Sequence, residues 1–106
     1  MILRIVHAAI LPGKMEAFKK FINTSLAPGV RGFPGCQFLY VADCVQHGHE
    51  NEVIFVSGWD KMETCDKLEK TDLYPGEVVK VKNFYTDRFN ETGALHIHYD
   101  TFADFP

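Results

Sequence analysis

A histidine interrupts an apolar run near the start of the chain: His7, within the segment ILRIVHAAIL at residues 2–11. An imidazole titrates near neutrality and can take a proton from a phenol or an activated C–H, so His7 is the leading candidate general base. It would line a ligand cavity if its face of the strand points toward the helices. A histidine bonded to a backbone carbonyl, or one at a subunit interface, is the competing use of the same residue. Trp59 offers an indole face for stacking on an aromatic ligand and an N–H donor, or else a core anchor where a strand meets a helix. Tyr40 and Tyr74 offer hydroxyls for substrate oxygens, and Tyr40 equally suits a subunit contact. Arg4, on an apolar strand face, suits an anion or an ion pair, with a pair across an interface as the preferred reading.

Two His-x-His pairs, His47/His49 and His96/His98, place two imidazoles on one face wherever the backbone is extended. That arrangement suits a metal, but no further ligand spacing accompanies either pair, and no metal or other cofactor is expected. The three cysteines, Cys36, Cys44 and Cys65, form no C-x-x-C motif. Cys36 and Cys44 on one strand would stand about 26 Å apart, beyond disulfide reach. Free thiols of this kind point to a reducing, cytoplasmic setting. Phosphate-binding glycine loops, dinucleotide fingerprints and Ser-His-Asp signatures are absent, and the glycines near Gly13, Gly29, Gly32 and Gly35 belong to turns.

These residues need a scaffold, and 106 residues suffice for one domain with its own core, spanning 1–106. The formal charge of −3 lacks the overall basic excess of many nucleic-acid binders, and no apolar run approaches a membrane span. The opening segment is broken by Arg4 and His7 and lacks a cleavage site, so no signal peptide is expected. Partners of nucleic-acid or membrane type are therefore not expected.

The first strand covers Ile2 to Leu11. A helix follows from Lys14 to Leu26, with Met15, Phe18 and Ile22 at helical spacing, and Pro28-Gly29 is expected to end it. Cys36 to Val45 and Glu52 to Trp59 form a hairpin around a polar loop. Asp60 and Glu63 have the spacing of a capping box for a second helix, Lys61 to Lys70, which turns Met62, Cys65 and Leu68 inward. A further helical turn is expected near Glu77 to Asn83. Phe84 to Asn90 is expected as the fourth strand, and Ala94 to Phe102 as a fifth, edge-like strand in a C-terminal extension, 91–106.

The order β-α-β-β-α-β specifies an α+β fold: a ferredoxin-like antiparallel sheet with both helices on one face, plus an extra C-terminal strand. The first three strands are apolar on both faces, whereas two helices cover only one. Covering about 800 Å2 of apolar surface per subunit is worth about 20 kcal/mol before association costs. A two-fold homodimer packed sheet to sheet is the expected solution. The C-terminal strand would then be placed to close an edge of the partner's sheet.

Four segments carry a family resemblance: Leu11-Pro-Gly-Lys14 after the first strand, Met15-Glu-Ala-Phe18, Phe33-Pro-Gly-Cys36, and Ser57-Gly-Trp59-Asp60. With them, residues 1 to 90 resemble the antibiotic biosynthesis monooxygenase family of dimeric α/β barrels. The resemblance implies a cofactor-independent monooxygenase acting on a small aromatic, phenol- or hydroquinone-like substrate held between helices and sheet. In the implied mechanism His7 is the pocket base and Trp59 with nearby phenylalanines, Phe55 among them, orients the ring, while Tyr40 and Tyr74, read from the residues themselves, complete the expected substrate-binding set. The family's polyketide oxygenases carry an asparagine where Phe55 stands and a tyrosine where Cys65 stands, so only Trp59 of that set is kept. Haem-degrading members have a first-strand asparagine at the position of His7, a haem-ligating histidine near Val78 and a tryptophan at Leu68. Two alternatives accompany the leading reading: a non-catalytic ligand-binding or sensing module, and a haem-binding or haem-degrading protein.

Overall fold

A computed structural model describes residues 1–71, 80–91 and 93–105. Four strands form a single antiparallel sheet: β1 (Ile2–Ala9), β2 (Cys36–Asp43), β3 (Glu52–Trp59) and β4 (Ala94–Asp100), in the spatial order β2-β3-β1-β4. Between β1 and β2 the chain runs through α1 (Met15–Phe21), a π-helical turn (Ile22–Leu26) and α2 (Ala27–Arg31). Between β3 and β4 lies α3 (Met62–Lys70). This is the ferredoxin-like α+β arrangement that the element order implies.

The register sorts the side chains into two faces. Val6 pairs with Phe55 and Ala8 with Val53, and all four are buried against Phe18, Ile22, Leu26 and Leu68 from the helices. The core therefore sits between the sheet and the helical layer. A bulge between Cys36 and Phe38 shifts the alternation of β2, so that Leu39 and Val41 face inward while Phe38 and Tyr40 face outward.

The outer face is apolar along whole cross-strand rows. Tyr40, Val56, Ile5 and Ile97 lie side by side across the four strands, and in the next row His7 sits between Ile54 and Leu95. No helix among the described residues covers this face, and Tyr40 and Tyr99 are 68% and 52% exposed.

The structure departs from the sequence expectations at several places. Helicity continues past Pro28 to Arg31. The widened turn closes on a bond from the Ala27 N–H to the Ile22 carbonyl, five residues back. Pro28 thereby falls in the first turn of a new α-helical segment, where a missing donor costs nothing. The Asn23 side-chain amide and the Thr24 hydroxyl donate to the carbonyls of Lys19 and Lys20, at 2.9 and 2.7 Å. This back-bonding loosens the regular ladder where the turn widens.

The capping box does not form. α3 starts at Met62 with Lys61 at its N-cap and no side-chain cap, and Asp60 accepts a hydrogen bond from the Thr64 hydroxyl. That bond leads the influences holding the Asp60 carboxyl below its usual range. Gly35 lies beside this corner with φ +96, and a Cβ there would come 2.7 Å from both Asp60 Oδ1 and Thr64. Glycine is therefore required by conformation and by space alike.

Phe84 to Asn90 is not a strand. Only Tyr85 makes a bridge, to Ile10, with flanking bonds from the Leu11 N–H to the Phe84 carbonyl and from the Thr86 N–H to the Ala9 carbonyl. The seven residues Ala94–Asp100 take the edge of β1 from Ile2 to Ala8, leaving residues 84–86 only its end. The strand expected as a C-terminal addition is thus the fourth strand of the sheet. Residues 80–82 are helical, and the rest of the helical turn expected from Glu77 lies outside the described residues.

Candidate functional site

A cavity of about 190 Å3 lies between the inner face of the sheet and the helical layer. Val6, Phe55 and Ala94 form its floor from three strands, and Leu39 and Val41 its β2 side. The widened turn and α2 bring Leu26, Ala27 and Val30 over it, and Val81 and Tyr85 close the far side. Alternation puts every second strand residue inward, while the surplus helical residue carries the segment after Phe18 across the sheet. A dry apolar cavity of about 150 Å3 holds benzene, so this one has room for a single ring with small substituents.

Arg4 and His96 introduce polarity on the β1–β4 side of the lining. Arg4 is only 5% exposed, and its Nε donates to Glu69 Oε1 at 2.9 Å. His98 Nε2 meets the same oxygen at 2.9 Å, and the Cys65 thiol donates to it at 3.8 Å. Glu69 reaches in from α3 and fastens it to β1 and β4. Burial alone would raise its pKa, but the hydrogen bonds and charges of Arg4 and His98 outweigh it and hold the carboxyl below the usual range. Arg4 therefore pairs within its own subunit, not across an interface as the sequence suggested.

Burial and the Glu69 carboxylate push the Cys65 thiol up to about 12, so it is protonated at neutral pH and is not a nucleophile. Cys65, Glu69 and His98 offer ligand atoms within 4.8 Å of one another. Their chemistry fits a hydrogen-bonded hub better than a metal centre: a cation would have to displace the guanidinium and deprotonate the thiol. His96 borders the cavity as an exposed residue, yet crowding by the surrounding protein, and then the Arg4 charge, push its pKa down to about 4. It is neutral at physiological pH.

The expected site residues separate. His7 does not line the cavity. It shares the outer face with Leu3 and Ile5, its ring 5.7 Å from that of Phe89, because residues of odd number on β1 point away from the helices. Tyr40 also lies on the outer face, next to Phe38. Trp59 is fully buried in the core beside Phe33, and its indole N–H donates to Ser57 Oγ at 2.9 Å. It does not border the cavity. Phe55 does, and it meets Phe18 edge-on. Tyr74 and Val78 lie outside the described residues, and Leu68, at the position of the haem degraders' tryptophan, is core.

In the hairpin loop the histidines meet acids: His49 Nδ1 lies 2.8 Å from Glu52 and His47 Nδ1 lies 3.4 Å from Glu50. His96 and His98 do share one face, as their spacing predicts, but one borders the cavity and the other holds Glu69. The residues that sequence reasoning missed as a set are Arg4, His96, Glu69 and Tyr85. Their one sequence signal is a polar residue at an inward position on each of two strands, and it becomes usable only once β4 is known to pair with β1.

The fold is shared with solved structures of low sequence identity. A protein of Deinococcus radiodurans described as a candidate antibiotic biosynthesis monooxygenase superposes with a TM-score of 0.82 at 11% identity, over 100% of this chain and 97% of that one. An antibiotic biosynthesis monooxygenase gives 0.76 at 16% identity, over 97% and 100% of the two chains. An ethyl tert-butyl ether d family protein of Bacillus halodurans gives 0.66 at 17%, over 96% and 100%. No family sequence model and no curated protein matches the chain.

Proposed function

We propose that this protein binds a small aromatic molecule of phenol or hydroquinone type in the cavity beneath α2, and oxygenates it without a flavin or metal. The apolar cavity of about 190 Å3 with its polarity gathered on one side is the observation that carries this reading. In the reaction a bound hydroquinone loses a proton to solvent, and the electron-rich anion reduces oxygen: one oxygen atom forms the new C–O bond, the other leaves as water, and the ring emerges as a hydroxyquinone. The protein contributes a water-poor chamber, an orientation for the ring, and an electrostatic environment for the anion. Phe55 and its apolar neighbours hold the ring. His7 has no part in the chemistry, because its ring lies on the other face of the sheet.

The working unit is a homodimer closed through the outer face of the sheet. Rows of Val, Ile, Leu and Tyr side chains with no helix among the described residues over them support that assembly. A second reading, a binding or sensing module without turnover, is favoured by Trp59: the one matched residue of the oxygenase set is sealed in the core. Haem fits less well, since the cavity has the size of a substituted ring and not of a tetrapyrrole.

Oxygen uptake with a panel of hydroquinones separates the first two readings, and calorimetric binding of the same compounds tests both. Uptake that depends on protein and is lost in Val30→Trp, which fills the cavity, supports the oxygenase. Binding without uptake supports the module. No binding of any ring compound refutes both.

A further inference from the structure

Val81 and Lys82 are consecutive residues of the short helical stretch at 80–82, and both border the cavity. Val81 is buried in the wall, whereas Lys82 is exposed, so it marks a place where the cavity meets solvent. A lysine in such a position lays its four-carbon stem along apolar surface and keeps its ammonium in water. Lys82 makes no ion pair among the described residues. The other charge of the lining, Arg4, is answered where it stands by Glu69 at 2.9 Å. None of the described residues of the lining is acidic, and Val6, Leu39, Val41 and Phe55 make the interior apolar. Lys82 is therefore the cation of the lining that no described carboxylate opposes.

These features sort the parts of a bound molecule. A ring gains by leaving water for the apolar interior. An anionic substituent cannot follow it cheaply, because the interior would strip its hydration. Beside Arg4 that anion would also meet the like charge of Glu69. At the mouth it stays hydrated and faces an ammonium. We propose that the cavity selects aromatic carboxylates, with the ring inside and the carboxylate at the mouth, and that Lys82 is the residue that sets this preference. The assignment rests on the ligand-binding reading above and adds an anionic substituent to its phenol-type ring. The attraction acts between two hydrated groups, so it is modest and sensitive to salt.

The test is isothermal titration calorimetry with 4-hydroxybenzoate, 4-hydroxybenzamide and phenol. The acid and the amide share one shape and differ in charge. Wild type is expected to bind the acid about fivefold tighter than the amide in about 0.02 M salt, the upper end for an exposed ion pair. The ratio should fall below about twofold in about 0.5 M salt, where the screening length is a few ångströms. Lys82→Gln should bring acid and amide to about equal affinity in low salt and leave the amide within about twofold of wild type. Lys82→Arg, which keeps the charge, should keep the preference. Lys82 is exposed, so both variants are expected to fold as wild type does.

Equal binding of acid and amide by wild type in low salt, an unchanged ratio in Lys82→Gln, or loss of the preference in Lys82→Arg would overturn the selection of carboxylates while leaving the cavity as the binding site. No binding of any of the three compounds, or binding that survives Val30→Trp, would remove the ligand-binding reading itself.

Discussion

Replacing Glu69 by glutamine removes one negative charge from a point where three donors converge. Arg4 and His98 each lie 2.9 Å from the same oxygen, and Arg4 is 5% exposed while Glu69 is 27% exposed. Removing one partner of a fully buried ion pair costs about 3–5 kcal/mol. Here glutamine keeps a carbonyl oxygen in place, and solvent reaches part of the carboxylate. The expected loss is therefore smaller, about 1.5–3 kcal/mol, the range for hydrogen bonds to a charged group. The sign of its pH dependence follows from the lowered carboxyl. A carboxylate whose folded pKa lies below its unfolded value stabilises the fold at pH above the unfolded pKa, and that contribution disappears as pH falls through the folded one. The difference between wild type and Glu69→Gln should thus be full above about pH 5 and shrink steadily below it, starting from the ordinary value of 4.5. Urea unfolding from pH 3 to pH 7, at one fixed protein concentration so that association is held constant, measures it. A loss under about 0.5 kcal/mol at pH 7, or a difference that does not change with pH, would refute the view that the Glu69 carboxylate is the charge holding Arg4 in place.

Other consequences are as direct. Ile5→Asp introduces a charge into the middle of the apolar outer face, and sedimentation velocity should show dimers in wild type and 12 kDa particles in the variant. His7→Ala should leave calorimetric ligand binding within about twofold of wild type, because its ring lies across the sheet from the cavity. Ellman's reagent at pH 8 should titrate one thiol per native chain, the exposed Cys44, with Cys36 and Cys65 reacting only after denaturation, since both are buried and burial raises both pKa values. Trp59→Ala should cost about 3–5 kcal/mol by thermal or urea unfolding, the range for deleting a large aromatic from a packed core.

Much of the scaffold was legible because its signals are local. The spacing of Cys65 and Leu68 fixed the inner face of α3, and the strand run from Glu52 to Trp59 matches β3 at both ends. Phe84 to Asn90 misled because its aromatic residues suit a strand, whereas its pairing edge on β1 was already taken by a longer and more regular competitor. That competition is non-local and leaves no mark in either segment alone. His7 misled for a related reason. With apolar residues on both faces of β1, alternation groups His7 with Leu3 and Ile5 and groups Arg4 with Val6 and Ala8, but it does not say which group meets the helices. Trp59, expected to bind substrate, takes instead the core-anchor role that its type equally suits, and Phe55, which shares its face of β3, is the residue of the expected set that reaches the cavity. Arg4 and His96 each carried a visible polarity, but their meeting depends on the β1–β4 register.

The π-helical turn at Ile22–Leu26 also bears on how such a chamber changes over evolutionary time. Adding one residue to a regular helix swings everything beyond it by about 100°, which would turn Val30 away from the sheet. A wide turn absorbs the surplus on the spot, so Phe18 before it and Val30 after it are both buried against the sheet. Single-codon insertions and deletions in this stretch would then raise or lower the ceiling while the four-stranded platform stayed as it is. Descendants of one ancestor could in this way diverge in the bulk of the molecule they admit without any substitution among the strands.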